Sequence, residues 1–324
     1  MIIGRNRCGS VLTALVLYVL GVPLCPSAGW TAQSVKVAIV ETRHLKAYDL
    51  AKSGFTQAME RKGFGIQFVD YALESDSLDP QDLHQMVKDG GAEIVLALGT
   101  DAARAVREAD LSIPCVFSMV SEPGQSGLLN DSRDDGTPMT GACLDVPVRD
   151  QFASLRDVVP KVQRIGVIYN PDESQFIVDE AQKTANEMNL GLVTYAVYSE
   201  AEVSAALSAL RPKIDALWLI SDRIVLTTQS LQYVFLFAFQ TNLPLMGLSD
   251  HFVKMGALFA VGPDYEDVGR QSGELAAQML AGRTATEIPV ASPRKVILSL
   301  NLRTAEIIGL RIPDSVVKKA TSIY

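Results

Sequence analysis

IVLALGTD (94–101) is an apolar run of strand length that ends in a glycine and two polar residues, and an alanine-rich stretch of helical period follows at once. RIGVIYNPDES (164–174) repeats that order in the second half of the chain. A short apolar strand, a polar turn able to cap a helix and then a 3.6-residue pattern make up the βα step of a parallel sheet. One such step in each half predicts an α/β protein of two doubly wound parallel-sheet lobes, with a ligand between them.

The flanking sequence extends both units. Ahead of the first lie a strand at Val35–Val40, a helix at Ala47–Arg61 stopped by Gly63, a strand at Gly65–Val69 and a helix opened by Asp79-Pro80. After it come a helix at Ala102–Ala109 and a strand at Cys115–Phe117, giving βαβαβαβ; residues 120–140, rich in Gly, Pro, Ser and Asp, read as a long loop or edge region. The second unit continues with helices at Asp150–Val158, Phe176–Met188, Glu200–Leu210 and Ser230–Gln240. Its strands are expected at Leu192–Val197, Ala216–Ile220, Leu245–Gly247 and Ala257–Val261. Asp264 opens an amphipathic helix that ends at Gly282, and Val296–Leu300 reads as one more strand. The aromatic run YVFLFAF (233–239) has helical spacing that favours core packing over a ligand cage.

The 324 residues suffice for two lobes with separate cores. The formal charge is −8, and −10 without the first thirty residues, which hold Arg5 and Arg7 and no acid. An acidic body with no Lys/Arg run argues against nucleic acid and against an anionic membrane surface. Residues 1–30 have the order of an export signal: basic Arg5 and Arg7, the apolar run VLTALVLYVLGV (11–22), then Ser27-Ala28-Gly29. The apolar run is short against the roughly 20 residues of a spanning helix. A lipoprotein anchor at Cys25 is the alternative, but Leu24 stands where a small residue is wanted. Cys115 and Cys143 remain after such a cleavage, either as a disulfide or as two buried thiols on neighbouring strands.

Enzyme signatures are absent: no G-x-G-x-x-G, no Walker A and no H-E-x-x-H. Gly124-Gln125-Ser126-Gly127 approaches a nucleophile elbow, but Leu128 occupies the place of its second glycine. His44, His84 and His251 have no metal-ligand spacing. No catalytic residue, metal or cofactor is therefore expected. What remains are polar turns at strand C-termini, the edge where open α/β sheets bind ligands. From these turns the candidate contacts are Thr42, Gly99, Thr100, Ser118, Asn170, Asp222 and Ser249. Helix N-termini suit a carboxylate and a buried acid such as Asp222 suits an ammonium, a pairing that fits an amino acid. Each of these residues serves equally well as an ordinary cap.

At these residues the chain resembles the periplasmic substrate-binding proteins of ABC transporters, with the type 1 periplasmic-binding fold, in the subgroup that includes aromatic amino acid binders. The matching segments run in order: Gly99-Thr100, Ile113-Pro114, Glu122-Pro123 with Gly127-Leu128, Thr140-Gly141, Ile165 to Pro171 and Asp222. Gly256-Ala257, Gly269-Arg270-Gln271, Ile288-Pro289-Val290 and Leu300 to Leu310 complete them. The resemblance implies ligand contacts near Thr100, Ser118, Asn170 and Asp222, and closure of the lobes about three crossings. The crossings are expected near Gly141 to Pro147, Gly262 to Asp264 and Pro289 to Pro293. It implies an N-terminal lobe of 31–143 with 263–290, a C-terminal lobe of 144–262 with 291–324, a monomer, a location in the periplasm and an ABC permease as partner. Two departures stand out: the family has Asp where this chain has Glu122, and a small polar residue where it has Arg223. A ligand sensor for a membrane receptor or kinase, and an exported enzyme on the same fold, are the alternatives.

Overall fold

The first sheet holds β1 (Gln33–Glu41), β2 (Phe64–Ala72), β3 (Ile94–Leu98), β4 (Cys115–Val120) and β5 (Met139–Cys143). The computed structural model describes Met1 and residues 33–42, 44–72, 79–129 and 137–324. The export-signal reading of residues 1–30 lies outside the described residues. Ala32–Tyr324 form one compact unit.

All five strands are parallel, in the order β2-β1-β3-β4-β5. β3 and β4 are buried along their whole length, which is why they read as unbroken apolar runs rather than alternating ones. On one face lie α1 (Lys46–Arg61) and, far on in sequence, a helix that returns from the second lobe. On the other lie α2 (Pro80–Gly90) and α3 (Thr100–Glu108). Asp79 caps α2 by accepting from the Gln81 N–H at 2.9 Å, with Pro80 in the first turn.

β5 overlaps the end of the stretch read as a loop or edge region, where only the buried-thiol reading of Cys143 calls for a strand. Its five residues MTGAC carry a glycine, and the polar stretch before them masks the strand. Gly141 is there because a Cβ would stand 2.1 Å from the Phe117 carbonyl oxygen.

The second lobe contains α4 (Val148–Val158), β6 (Arg164–Tyr169), α5 (Pro171–Glu187), β7 (Gly191–Ala196), α6 (Val203–Leu210), β8 (Ala216–Trp218) and α7 (Thr228–Gln240). β9 (Leu245–Gly247), α8 (Asp250–Met255) and β10 (Phe259–Pro263) follow. The chain then crosses to the first lobe as α9 (Tyr265–Leu280) and returns as β11 (Val296–Leu300), α10 (Leu302–Ile307), α11 (Asp314–Val317) and β12 (Ser322–Ile323). The seven-stranded sheet runs β12-β11-β10-β9-β8-β6-β7, with β10–β11 its antiparallel pair. Read from β7, its first five strands repeat the order of the first sheet. Two α/β lobes of parallel sheet are thus present.

The three crossings lie side by side. The third is hydrogen-bonded to β5, with the Ala291 N–H donating to Gly141 and the Cys143 N–H donating to Ala291, each at 2.9 Å. It is paired to the second through Pro263 and Val296 and through the Asp264 N–H to the Lys295 carbonyl at 3.0 Å. α9 then packs on α1. Their approach needs glycine: a Cβ on Gly269 would stand 1.9 Å from the Ala51 carbonyl oxygen, and one on Gly54 1.8 Å from that of Glu266.

Two expectations are revised. YVFLFAF is not a core segment throughout: Val234 and Ala238 are buried, whereas Tyr233, Leu236 and Phe239 are 43%, 55% and 55% exposed. Aromatic spacing marks a face without saying which way it turns. The cysteines stand at opposite ends of their strands, Cys115 opposite Met139 and Cys143 opposite Val120. Four residues of strand, about 13 Å, separate them, beyond what a disulfide spans, and both are free and buried.

Candidate functional site

A cleft of about 580 Å³ opens where the lobes meet the crossings. Its floor is the C-terminal end of β8 and the residues just after it, Trp218 to Ser221. Its sides are the loop after β4 (121–125), the first crossing (144–148) and one face of α5. A parallel sheet presents its ligand edge at just this end of its strands.

Trp218 is 2% exposed and is held on two sides. Its indole N–H donates to Gln151 Oε1 at 2.8 Å, and its ring meets Phe152 edge-on at 5.1 Å. Gln151 in turn donates from Nε2 to the Val146 carbonyl at 2.8 Å, so first crossing, α4 and floor form one bonded unit. Phe176 and Tyr265 add aromatic surface from α5 and α9.

Charge in the cleft has one sign. Glu122, Asp145 and Glu180 line it, and no lysine, arginine or histidine does. The Glu122 backbone N–H donates to Asp145 Oδ2 at 2.8 Å, which fixes the loop to the first crossing. Burial raises the Glu122 carboxyl above the usual range, and the Asp145 charge adds to it. Burial likewise raises Asp145; the Glu122 N–H and the Cys143 thiol pull it back, and the Glu180 charge pushes it further up. The Cys143 thiol is itself pushed up to about 11, by burial first and then by Asp145. Among the described residues no three His, Cys, Asp or Glu side chains stand as a metal-holding group.

None of the seven positions expected from the strand ends lies on this lining. Asp222, 2% exposed, is enclosed by its own lobe: Oδ2 accepts from the Asn170 N–H at 2.5 Å and from Ser174 Oγ, and Oδ1 accepts from the N–H groups of Ile224 and Val225 at 3.0 and 3.1 Å. With four donors in place, the carboxylate is the clasp between β6 and the loop after β8 rather than a seat for an ammonium. Asn170 caps α5 by accepting from the Asp172 N–H at 3.2 Å. Gly99 caps α3 at φ 89°, and a Cβ there would stand 2.2 Å from the Tyr48 hydroxyl. Thr100 Oγ1 faces the Ser121 N–H at 3.4 Å, Ser118 is fully buried with its Oγ unpartnered, and Thr42 and Ser249 are half-buried at β1 and α8.

Their neighbours, however, do line the cleft. Ser221 and Leu248, which line the cleft, directly precede Asp222 and Ser249, and Ser121 is the residue that meets Thr100. Asp145, Gln151 and Glu180 were missed, because in sequence they are isolated polar residues on a connection and on helices.

A tyrosine-binding protein of Clostridioides difficile is 28% identical over 269 residues, 81% of this chain and 77% of that protein. The ligand-free, open structure of a substrate-binding protein with adhesive properties from Clostridium difficile superposes with a TM-score of 0.73 at 26% identity, covering 90% of this chain and 99% of the other. A Streptococcus pneumonia ABC domain in complex with L-Trp shares the fold, with a TM-score of 0.57 at 23% identity over 90% and 100% of the two chains. These are binding proteins rather than enzymes. Residues 36–324 match the family described as ABC transporter substrate binding protein, and the chain belongs to that family.

Proposed function

We propose that this protein captures a small amino acid, aromatic or similar in size, in the cleft between its lobes and presents it to an ABC permease. The observation that carries this reading is the cleft of about 580 Å³ at the strand edge of a two-lobed chain of this family. Small-molecule sites occupy roughly 300–1,000 Å³. The tyrosine-binding relative favours an aromatic ligand, and Trp218, Phe176 and Tyr265 supply the matching surface.

We place the lobe boundaries at 31–143 with 263–290 and 144–262 with 291–324. Binding draws the lobes together, because the closed form alone contacts the ligand from both sides. On closure, Thr42, Gly99 and Thr100 of the first lobe and Ser249 of the second come to the ligand. Ser118, Asn170 and Asp222 act by holding the walls. Export by residues 1–30 puts the protein in the periplasm as a monomer, where the permease is its partner. No helix among the described residues is long and apolar enough to cross a membrane.

The test is thermal unfolding of residues 31–324 against amino acids, small peptides, purines and sugars. A ligand at about 100 times its Kd adds roughly 2.7 kcal/mol, worth about 5–10 °C. A shift confined to aromatic or branched amino acids is the expected result. A shift with sugars or purines alone would replace the amino acid reading.

A further inference from the structure

Glu122, Asp145 and Glu180 reach the cleft from three separate elements: the loop after β4, the first crossing and α5. Among the described residues none of the three has an ion-pair partner. Of the basic side chains nearest in sequence to the lining, four are committed elsewhere, Arg149 to Glu187, Arg223 to Glu173, Arg294 to Asp267 and Glu274, and Lys295 to Asp264, while Lys183, three residues beyond Glu180, is exposed and off the lining. Apart from the three acids, the titratable groups at the wall are the Cys143 thiol beside Asp145 and the Tyr265 phenol.

We infer that the cleft selects an organic cation: a primary amine whose ammonium group sits among Glu122, Asp145 and Glu180, with its apolar body on Trp218 and Phe176, and whose carboxylate is tolerated rather than required. This rests on the reading of the cleft as the ligand site. That site is given by the cleft and the family; the carboxylates decide only which charge enters it. A ligand carboxylate finds no cationic side chain on the lining, so neutral donors remain to meet it: backbone N–H groups, the serines, the glutamines and the Tyr265 hydroxyl. An ammonium group carries three donors, which separate acceptors can share directly or through water. The geometry also couples charge to closure. Glu122 belongs to the first lobe and Glu180 to the second, so like charges oppose their approach until a cation lies between them. Burial raises the Glu122 and Asp145 carboxyls, and the charge of a neighbouring acid adds to each shift. A bound ammonium lowers them again, so affinity rises as pH climbs through their range.

The experiment is calorimetry on residues 31–324 with three matched series built on tyrosine, phenylalanine, tryptophan and leucine. They are the amino acid, the amine lacking its carboxylate (tyramine and its analogues) and the acid lacking its amine (hydroxyphenylpropionate and its analogues). Amines are expected to bind at least as tightly as the amino acids, and the acids to bind about 100-fold more weakly or not at all. Glu122→Gln should weaken the amine about 10–100-fold, the scale of losing one charge partner in a half-buried site, and Glu180→Gln only about 2–5-fold, the scale of an exposed pair. Glu180 is exposed, so Glu180→Lys tests the charge without endangering the fold, and it should lower the amine-to-acid preference. Acids that bind as well as amines, or an amine preference unmoved by all three variants, overturn the inference while leaving the cleft as the binding site. Silence from all three series removes both readings.

Discussion

Replacing Asp222 by alanine separates a wall residue from a ligand contact. The substitution strips the acceptor from four donors at once: the Asn170, Ile224 and Val225 N–H groups and the Ser174 hydroxyl. Asn170 and Ser174 are buried, as is Val225, whereas Ile224 is half-buried and open to water. A buried donor left without a partner costs about 1–3 kcal/mol. Three such donors, one of them a hydroxyl able to turn to another acceptor, give a loss of about 4 kcal/mol, at the upper end of single substitutions. For a chain of this size that is roughly 8–16 °C in melting temperature. Circular dichroism melts of the ligand-free protein read it directly. Asp222→Asn keeps one oxygen and should lose about half as much. An unchanged melting temperature in Asp222→Ala together with a collapse in ligand affinity would refute the clasp and return Asp222 to the binding surface.

Gly269→Ala drives a methyl into the Ala51 carbonyl oxygen, 1.9 Å from the ideal Cβ, and should cost about 2–4 kcal/mol in denaturant unfolding as α9 is forced off α1. Burial works against ionisation of Asp267, but hydrogen bonds from Arg294 and Arg270 outweigh it and hold this carboxyl below the usual range. Its contribution is therefore full above the unfolded carboxylate range and lost as pH falls through the folded value. Arg294→Met should move the acid unfolding midpoint to higher pH and cost about 1 kcal/mol at neutral pH, a modest figure because the arginine is half exposed. Cys115 and Cys143 should react with a thiol reagent only on unfolding, and mass spectrometry should find both reduced.

The strands that the sequence made plain are those buried on both faces, such as IVLAL and RIGVIY, because a parallel sheet covered by helices needs unbroken apolar runs. The caps of α2 and α9 were equally legible, since Asp79 and Asp264 act within two or three residues of themselves, whereas α5 begins at Pro171, five residues before the expected Phe176. β5 was hard to read because its place depends on the distant Phe117 and Ala291, not on its own composition. The same limit governed the site. A strand-end rule locates an edge, but the lining at that edge is set by which residue of a turn faces inward, hence Ser221 rather than Asp222. Glu122, Asp145 and Glu180 lie up to fifty-eight positions apart and become one charged wall only through the fold.

The floor of the cleft also gives the protein an optical reporter of its own. The sequence has two tryptophans, Trp30 and Trp218, and removal of residues 1–30 leaves Trp218 alone. Its indole is buried, bonded to Gln151 at the start of α4 and edge-on to Phe152. Tryptophan emission from residues 31–324 therefore originates at one place, where the floor meets the first crossing. Any ligand that displaces Gln151 or covers the ring changes its colour and yield. Unlabelled protein thus suffices to follow capture and release in real time, with no dye attached to the moving parts.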